Sequence, residues 1–272
     1  LEHIGPNAFR GCTTMKQLFL PNSLEQIGEW AFCGCTMLKS IKIPTGITRI
    51  EDGVFSYLIA VEDIVFHDGV DFISKHAFLC CPSLRSVSIP DAVTTIGFEA
   101  FKQCDNLRKV HLPKKLTTLG EGVFGACFNL KDIEIPAGVT TMGVSTFWDC
   151  QQIKSITIPG NVKEIPDWIF TNCTSLKDIT LSHGVQKIGA IPFKNTGITA
   201  LTLPESITVL DSLALSEIYH LDTLQVAWKK PLPIQANIFA STPMKHLRVP
   251  RGSAAAYRQA EVWKEFGDIS EY

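Results

Sequence analysis

The sequence predicts a repeat solenoid: a right-handed stack of 23-residue coils, each lending a short strand to a parallel β-sheet. Turns or 3-10 segments join the strands, and a helical cap closes the C-terminal end. Three observations predict it. Phenylalanine stands at Phe9, Phe32, Phe55, Phe78, Phe101, Phe124, Phe147, Phe170 and Phe193, always 23 residues apart. Apolar pairs in strict alternation follow nine and eleven residues later, among them Leu18/Leu20, Ile41/Ile43, Ile133/Ile135 and Ile179/Leu181. Hydrophobic residues make up 45% of the chain and charged residues 19%, which suits an ordered chain with much buried surface. A unit this short cannot bury its own apolar face, whereas stacked units share one core.

Each part of the coil follows from one column. Ala31, Ala77 and Ala100 precede the phenylalanine, where a small side chain lets neighbouring coils approach. Three residues after it come Cys12, Cys35, Cys81, Cys104, Cys127, Cys150 and Cys173, with Leu58 and Thr196 at the other two places. Six after it lie Met15, Leu38, Val61, Leu84, Leu107, Leu130, Ile153 and Leu176. The alternating pair is a strand with one buried face. Pro21, Pro44, Pro90, Pro113, Pro136 and Pro159 then end that strand, because proline has no N–H for the ladder. Two more apolar columns follow, Leu24 to Val185 and Ile27 to Ile188. Gly28, Gly97, Gly120, Gly143 and Gly189 come directly after the second, where the coil is expected to turn with positive φ.

The period slips once. After Phe193 the pattern returns one residue early, as Leu201-Thr202-Leu203-Pro204, and two degenerate coils around Leu215 and Phe239 run to Leu247-Arg248-Val249-Pro250. Residues 1–250 therefore read as a solenoid of about eleven coils, a rod on the order of 50 Å long at the usual strand spacing. Residues 251–272 read as its cap. Ser253 is the expected N-cap of a short helix, with Ala256, Ala260 and Trp263 on one face and Tyr257, Trp263 and Phe266 covering the last coil.

The unit Ala-Phe-x-x-Cys-x-x-Leu-x-x-Ile-x-Ile-Pro-x-x-Val-x-x-Ile-Gly resembles the BspA-like leucine-rich repeat, and the match covers essentially the whole chain. The closing stretch from Val249 to Tyr257, with Trp263 and Phe266, is similar to C-terminal ends of such proteins in Bacteroides-type bacteria. The coil holding Tyr57, Leu58, Ile59, Ala60 and His67 and the last two coils depart most from the pattern. The resemblance implies an adhesin-like protein, secreted or held at the cell surface. It implies no catalytic residue, since the family's motif consists of structural columns. Leu1 falls in mid-repeat, so the chain reads as a piece of a longer protein whose export signal lies elsewhere.

Bulk properties narrow the function. A formal net charge of −2 gives no overall field for nucleic acid or anionic membrane, and no apolar run is long enough to span a bilayer. Seven histidines lie without metal-ligand spacing, and no phosphate loop or nucleophile elbow is present, so neither cofactor nor metal is expected. The in-file cysteines read as small buried thiols filling a ladder, with Cys33 and Cys80, outside the file, as the more reactive pair. Asp132 and Glu134, two apart, share a face and could form an acid pair or weak calcium site; a solvated face is the simpler reading. Thr94-Thr95, Thr117-Thr118 and Thr140-Thr141 form a ladder that strand propensity alone explains.

Two features suit ligand contact. One is the basic column Lys16, Lys39, Arg85, Arg108, Lys131, Lys154 and Lys177, interrupted by Glu62. It could grip an anionic polymer, or serve only to keep strand edges apart. The other is aromatic. Phe19, Trp30, Tyr57, Phe98, Phe128, Trp148 and Trp168 lie outside the core columns, and Phe128 with Trp148, on adjacent coils, is the chosen contact pair. The expected function is non-catalytic binding of a host or matrix protein, or of a glycan. The alternatives are an architectural spacer in a longer surface protein and, with less to support it, a polysaccharide-acting enzyme.

Overall fold

Most coils carry two short strands, not the single strand that the sequence predicts, although the Leu18/Leu20 and Ile133/Ile135 pairs form no strand. In a computed structural model describing residues 1–272, the alternating apolar pairs form the longer strands, among them Ser40–Lys42, Asp63–Val65, Ser86–Ser88, Lys109–His111, Ser155–Ile158 and Asp178–Leu181. They pair in parallel at the repeat period, Ile41 opposite Ile64, Val87 opposite Val110 and Ile156 opposite Ile179. A second ribbon on another side of the rod uses two-residue strands such as Arg49–Ile50, Phe72–Ile73, Thr95–Ile96, Thr118–Leu119 and Thr141–Met142, also parallel and in register. Only one residue of each faces inward, so no alternation marks these strands in the sequence. About twelve coils result, because the final strand, Asp268–Glu271, adds itself in parallel to His246–Val249.

The phenylalanines form the axis of the core. Successive rings lie 5.1–6.4 Å apart and within 17° of parallel from Phe9 to Phe193. All except Phe9 are fully buried, in one cluster of 76 residues that runs the length of the molecule, so there is one core and not two. The prolines close the strands as expected, and each carbonyl also starts a turn: Pro44, Pro90, Pro113, Pro136 and Pro159 accept the N–H three residues on, at 3.0–3.1 Å.

The glycines are present for a different reason from the one expected. Gly28, Gly97, Gly120, Gly143 and Gly189 do not have positive φ. They are the points where coils touch backbone to backbone. A Cβ on Gly143 would lie 2.3 Å from the Glu121 nitrogen, and one on Gly97 would lie 2.7 Å from the Lys75 nitrogen. The left-handed residues stand two before and two after each phenylalanine instead, and most are not glycine: His76 (φ 56°) and Cys80 (φ 57°), Glu99 (φ 50°) and Gln103 (φ 58°), Trp168 (φ 54°) and Asn172 (φ 63°). This alternation turns every second amide toward the next coil. Trp30, Phe32 and Gly34 donate to Asp52, Val54 and Ser56 at 2.8–3.0 Å, a third inter-coil ladder besides the two strand ribbons. Satisfied amides offset the roughly 1 kcal/mol that a left-handed L-residue costs.

The cap differs in detail from the sequence reading. The helix Ala254–Gln259 buries Ala254 and Tyr257 and leaves Ala256 exposed. Ser253 holds the N-cap position but its side chain makes no capping hydrogen bond; the Glu271 side chain does that work, its Oε1 accepting the Ala254 N–H at 2.9 Å. Tyr257, Trp263 and Phe266 are buried as expected. The Tyr257 hydroxyl donates to the Trp228 carbonyl at 2.9 Å, and the Trp263 indole N–H donates to the Leu232 carbonyl at 2.8 Å.

Candidate binding surfaces

The basic column runs as a file of exposed side chains where each coil enters its longer strand. Elsewhere on the surface, Lys75, Lys102, Lys187, Lys194 and Lys245 find carboxylates. Lys187 meets Asp211 and Glu164 at 2.8 and 2.9 Å, which raises its pKa through both hydrogen bonds, Lys194 meets Glu217 at 2.9 Å, and Lys75 meets Asp52 at 3.0 Å. In the file only Arg85 has a partner, Glu62 at 3.6 Å. Lys16, Lys39, Arg108, Lys131, Lys154 and Lys177 have no carboxylate within 4.0 Å, and the last four of these stand on successive coils. Four cations held at coil spacing repel one another, so the arrangement favours an added anion.

Phe128 is partly exposed on the ridge between the turn face and the longer strands. No ring contact joins it to Trp148. Trp148 instead borders an open hollow of about 370 Å³ with Trp168, Ile191, Ser145, Thr171, Asn172 and Lys194. Trp168 and Ile191 stand two before a phenylalanine and Trp148 stands one after, so the hollow lies on the face of the third ladder. That grouping depends on the left-handed turn, which no residue type announced.

Asp132 and Glu134 are both exposed but do not converge on one cavity. Around them the sheet opens, and Ile133, Glu134 and Ile135 make no backbone hydrogen bond to either neighbouring coil. Glu134 stands between two shallow hollows, one of about 420 Å³ shared with His111 and Lys114, the other of about 470 Å³ shared with Ser155, Thr157, Asp178 and Thr180. The threonine ladder is partly engaged with itself: the Thr117 hydroxyl donates to the Thr94 carbonyl at 3.0 Å.

The cysteine file from Cys35 onward is buried and hydrogen-bonded to the core backbone. Cys35, Cys81, Cys104, Cys127, Cys150 and Cys173 each donate a thiol hydrogen bond, at 3.1–3.4 Å, to the phenylalanine carbonyl 26 residues earlier. Burial pushes the thiols of Cys81, Cys127, Cys150 and Cys173 well up, and that of Cys35 to about 11, so these stay protonated. Outside the file, Cys33 is buried, and burial also raises the pKa of Cys80, which runs against enhanced thiolate reactivity for that residue.

A sequence profile of the BspA-type leucine-rich repeat region matches in six copies over residues 1–108, 71–170, 94–222 and 146–259. The chain belongs to the BspA-type leucine-rich repeat family. Solved structures of similar fold come from several bacteria. A leucine-rich repeat protein of Bacteroides ovatus is 22% identical, with a TM-score of 0.51 over 100% of this chain and 88% of that one. A leucine-rich cell surface protein of Faecalibacterium prausnitzii is 21% identical, with a TM-score of 0.55 over 96% and 73%. The pneumococcal vaccine antigen PcpA is 16% identical, with a TM-score of 0.55 over 100% and 77%. No curated protein sequence matches the chain. In this BspA-type chain no helix is long and apolar enough to cross a membrane.

Proposed function

We propose that this chain is a non-catalytic binding module, displayed at the bacterial cell surface or secreted, that holds a host or matrix protein or a glycan across several coils. The observation that carries the proposal is the run of unpartnered cations Arg108, Lys131, Lys154 and Lys177 on successive coils along one line of the rod, with no carboxylate within 4.0 Å of any of them. A repeat surface of this kind binds by summed contacts with a few dominant anchors, and Phe128 and Trp148 are the aromatic candidates for that role. Display outside the cell is supported by the family and by the similar cell surface protein of F. prausnitzii. The test is an array of matrix proteins and of neutral and acidic glycans, probed with the purified chain at low and at physiological salt. Binding that weakens with salt is the expected result. A folded chain that binds nothing on the array would leave the spacer role as the better description.

A further inference from the structure

The turn face contains its own control for what an exposed tryptophan means. Trp30 and Trp168 occupy the same place in the coil, two residues before the phenylalanine, and both have left-handed backbones, φ 58° and 54°. In the next coil the equivalent residue is Gly53 for Trp30 and Ile191 for Trp168. The Trp30 indole lies flat over Gly53, so close that a Cβ there would be 2.3 Å from the ring, and its edge reaches the His76 ring with centroids 5.9 Å apart. That tryptophan is packing. Beside Trp168 the equivalent position carries the Ile191 side chain, both line one hollow, and Trp168 is 46% exposed.

Trp168 shares its hollow with Trp148 and with a polar rim. The Ser145 hydroxyl has no hydrogen-bond partner in the chain, Asn172 accepts from Asn195 at 3.1 Å, and the Lys194 ammonium is neutralised by Glu217 at 2.9 Å. Two indoles, a free serine hydroxyl, an amide and a paired charge complement a ligand with one C–H face and an edge of hydroxyls. At about 370 Å³ and open to solvent, the hollow suits a small ring and not a protein side.

We propose that the Trp148–Trp168 hollow is a saccharide subsite for a neutral pyranose ring, the indoles stacking on its C–H face while Ser145 and Asn172 hydrogen-bond its hydroxyls. The assignment rests on the binding-module reading and deepens it. Neutrality follows from the Lys194–Glu217 pair and separates this site from the basic file.

The experiment is titration of the folded chain with neutral hexose, N-acetylhexosamine and deoxyhexose oligosaccharides, read by tryptophan fluorescence and by saturation-transfer NMR. Binding insensitive to salt is expected, with Trp148→Ala and Trp168→Ala each weakening it by roughly tenfold or more at unchanged melting temperature. Ile191→Gly recreates beside Trp168 the glycine that lies under Trp30, and is expected to let the indole lie flat and to abolish sugar binding without loss of stability. If no neutral sugar binds at millimolar concentration, or if binding survives both tryptophan variants, the subsite is overturned. Should sugars fail while a salt-sensitive ligand still depends on the lysines, the binding-module reading stands alone; if neither binds, both fall.

Discussion

At the scale of single residues, what matters is which atom of the neighbouring coil each side chain meets. Gly143 and Gln103 make the contrast. A methyl at Gly143 would enter the Glu121 backbone, which has no room to yield, so Gly143→Ala should destabilise by at least about 2 kcal/mol in a denaturant titration. Gln103 is exposed and left-handed at φ 58°, so Gln103→Gly should stabilise, by up to about 1 kcal/mol. Equal effects at the two positions would contradict the assignment of close approach to one and backbone strain to the other. Thiol chemistry gives an independent check: alkylation of the native chain without reductant, followed by mass spectrometry, should find Cys81, Cys104, Cys127, Cys150 and Cys173 as free thiols that react only after unfolding. The phenylalanine and cysteine files were legible in the sequence because each needs one residue type at one depth in the core. The left-handed positions were not, because His76, Glu99 and Gln103 are held there by inter-coil amide bonds that leave no mark on residue identity.

At the scale of elements, the longer strands were legible and the shorter ones were not. Two inward residues in alternation make a pattern, but a single inward residue flanked by turns makes none. The short helix of the cap was legible in the sequence; the final strand Asp268–Glu271 and the fastening by Glu271, 17 residues from the amide it caps, were not. Trp263 is fully buried against Trp228, Phe239 and Tyr257, so Trp263→Ala should cost about 3–5 kcal/mol, and deletion of residues 251–272 should cause aggregation. An unchanged melting temperature after either change would show that the segment is a tail. The backbone N–H groups of Gly252 and Ala254 hold the Glu271 carboxylate below the ordinary glutamate range. A depressed folded-state pKa adds stability above the unfolded pKa, and that stability is lost as pH falls through the folded one. The gap in melting temperature between the native chain and Glu271→Gln should therefore be present at neutral pH and close on acidification.

At the scale of the whole molecule, three ladders and one core make the coils a single rod, and the rod turns a sequence column into a line of chemistry at strand spacing. The basic line was legible as a column; that most of it lacks partners was not, because pairing depends on where acids on other columns reach. The Trp168 hollow was hidden for the same reason, its lining being drawn from neighbouring coils. A ligand spread along such a line must lose affinity in steps. The decisive measurement is the dissociation constant, over a range of salt concentrations, of whichever array ligand the chain binds, for Lys131→Glu, then with Lys154→Glu added, then with Lys177→Glu added. The account predicts a graded fall, each step also flattening the salt dependence, with folding intact. Abolition by one substitution alone, or affinity unchanged through all three, would contradict binding spread along the basic file.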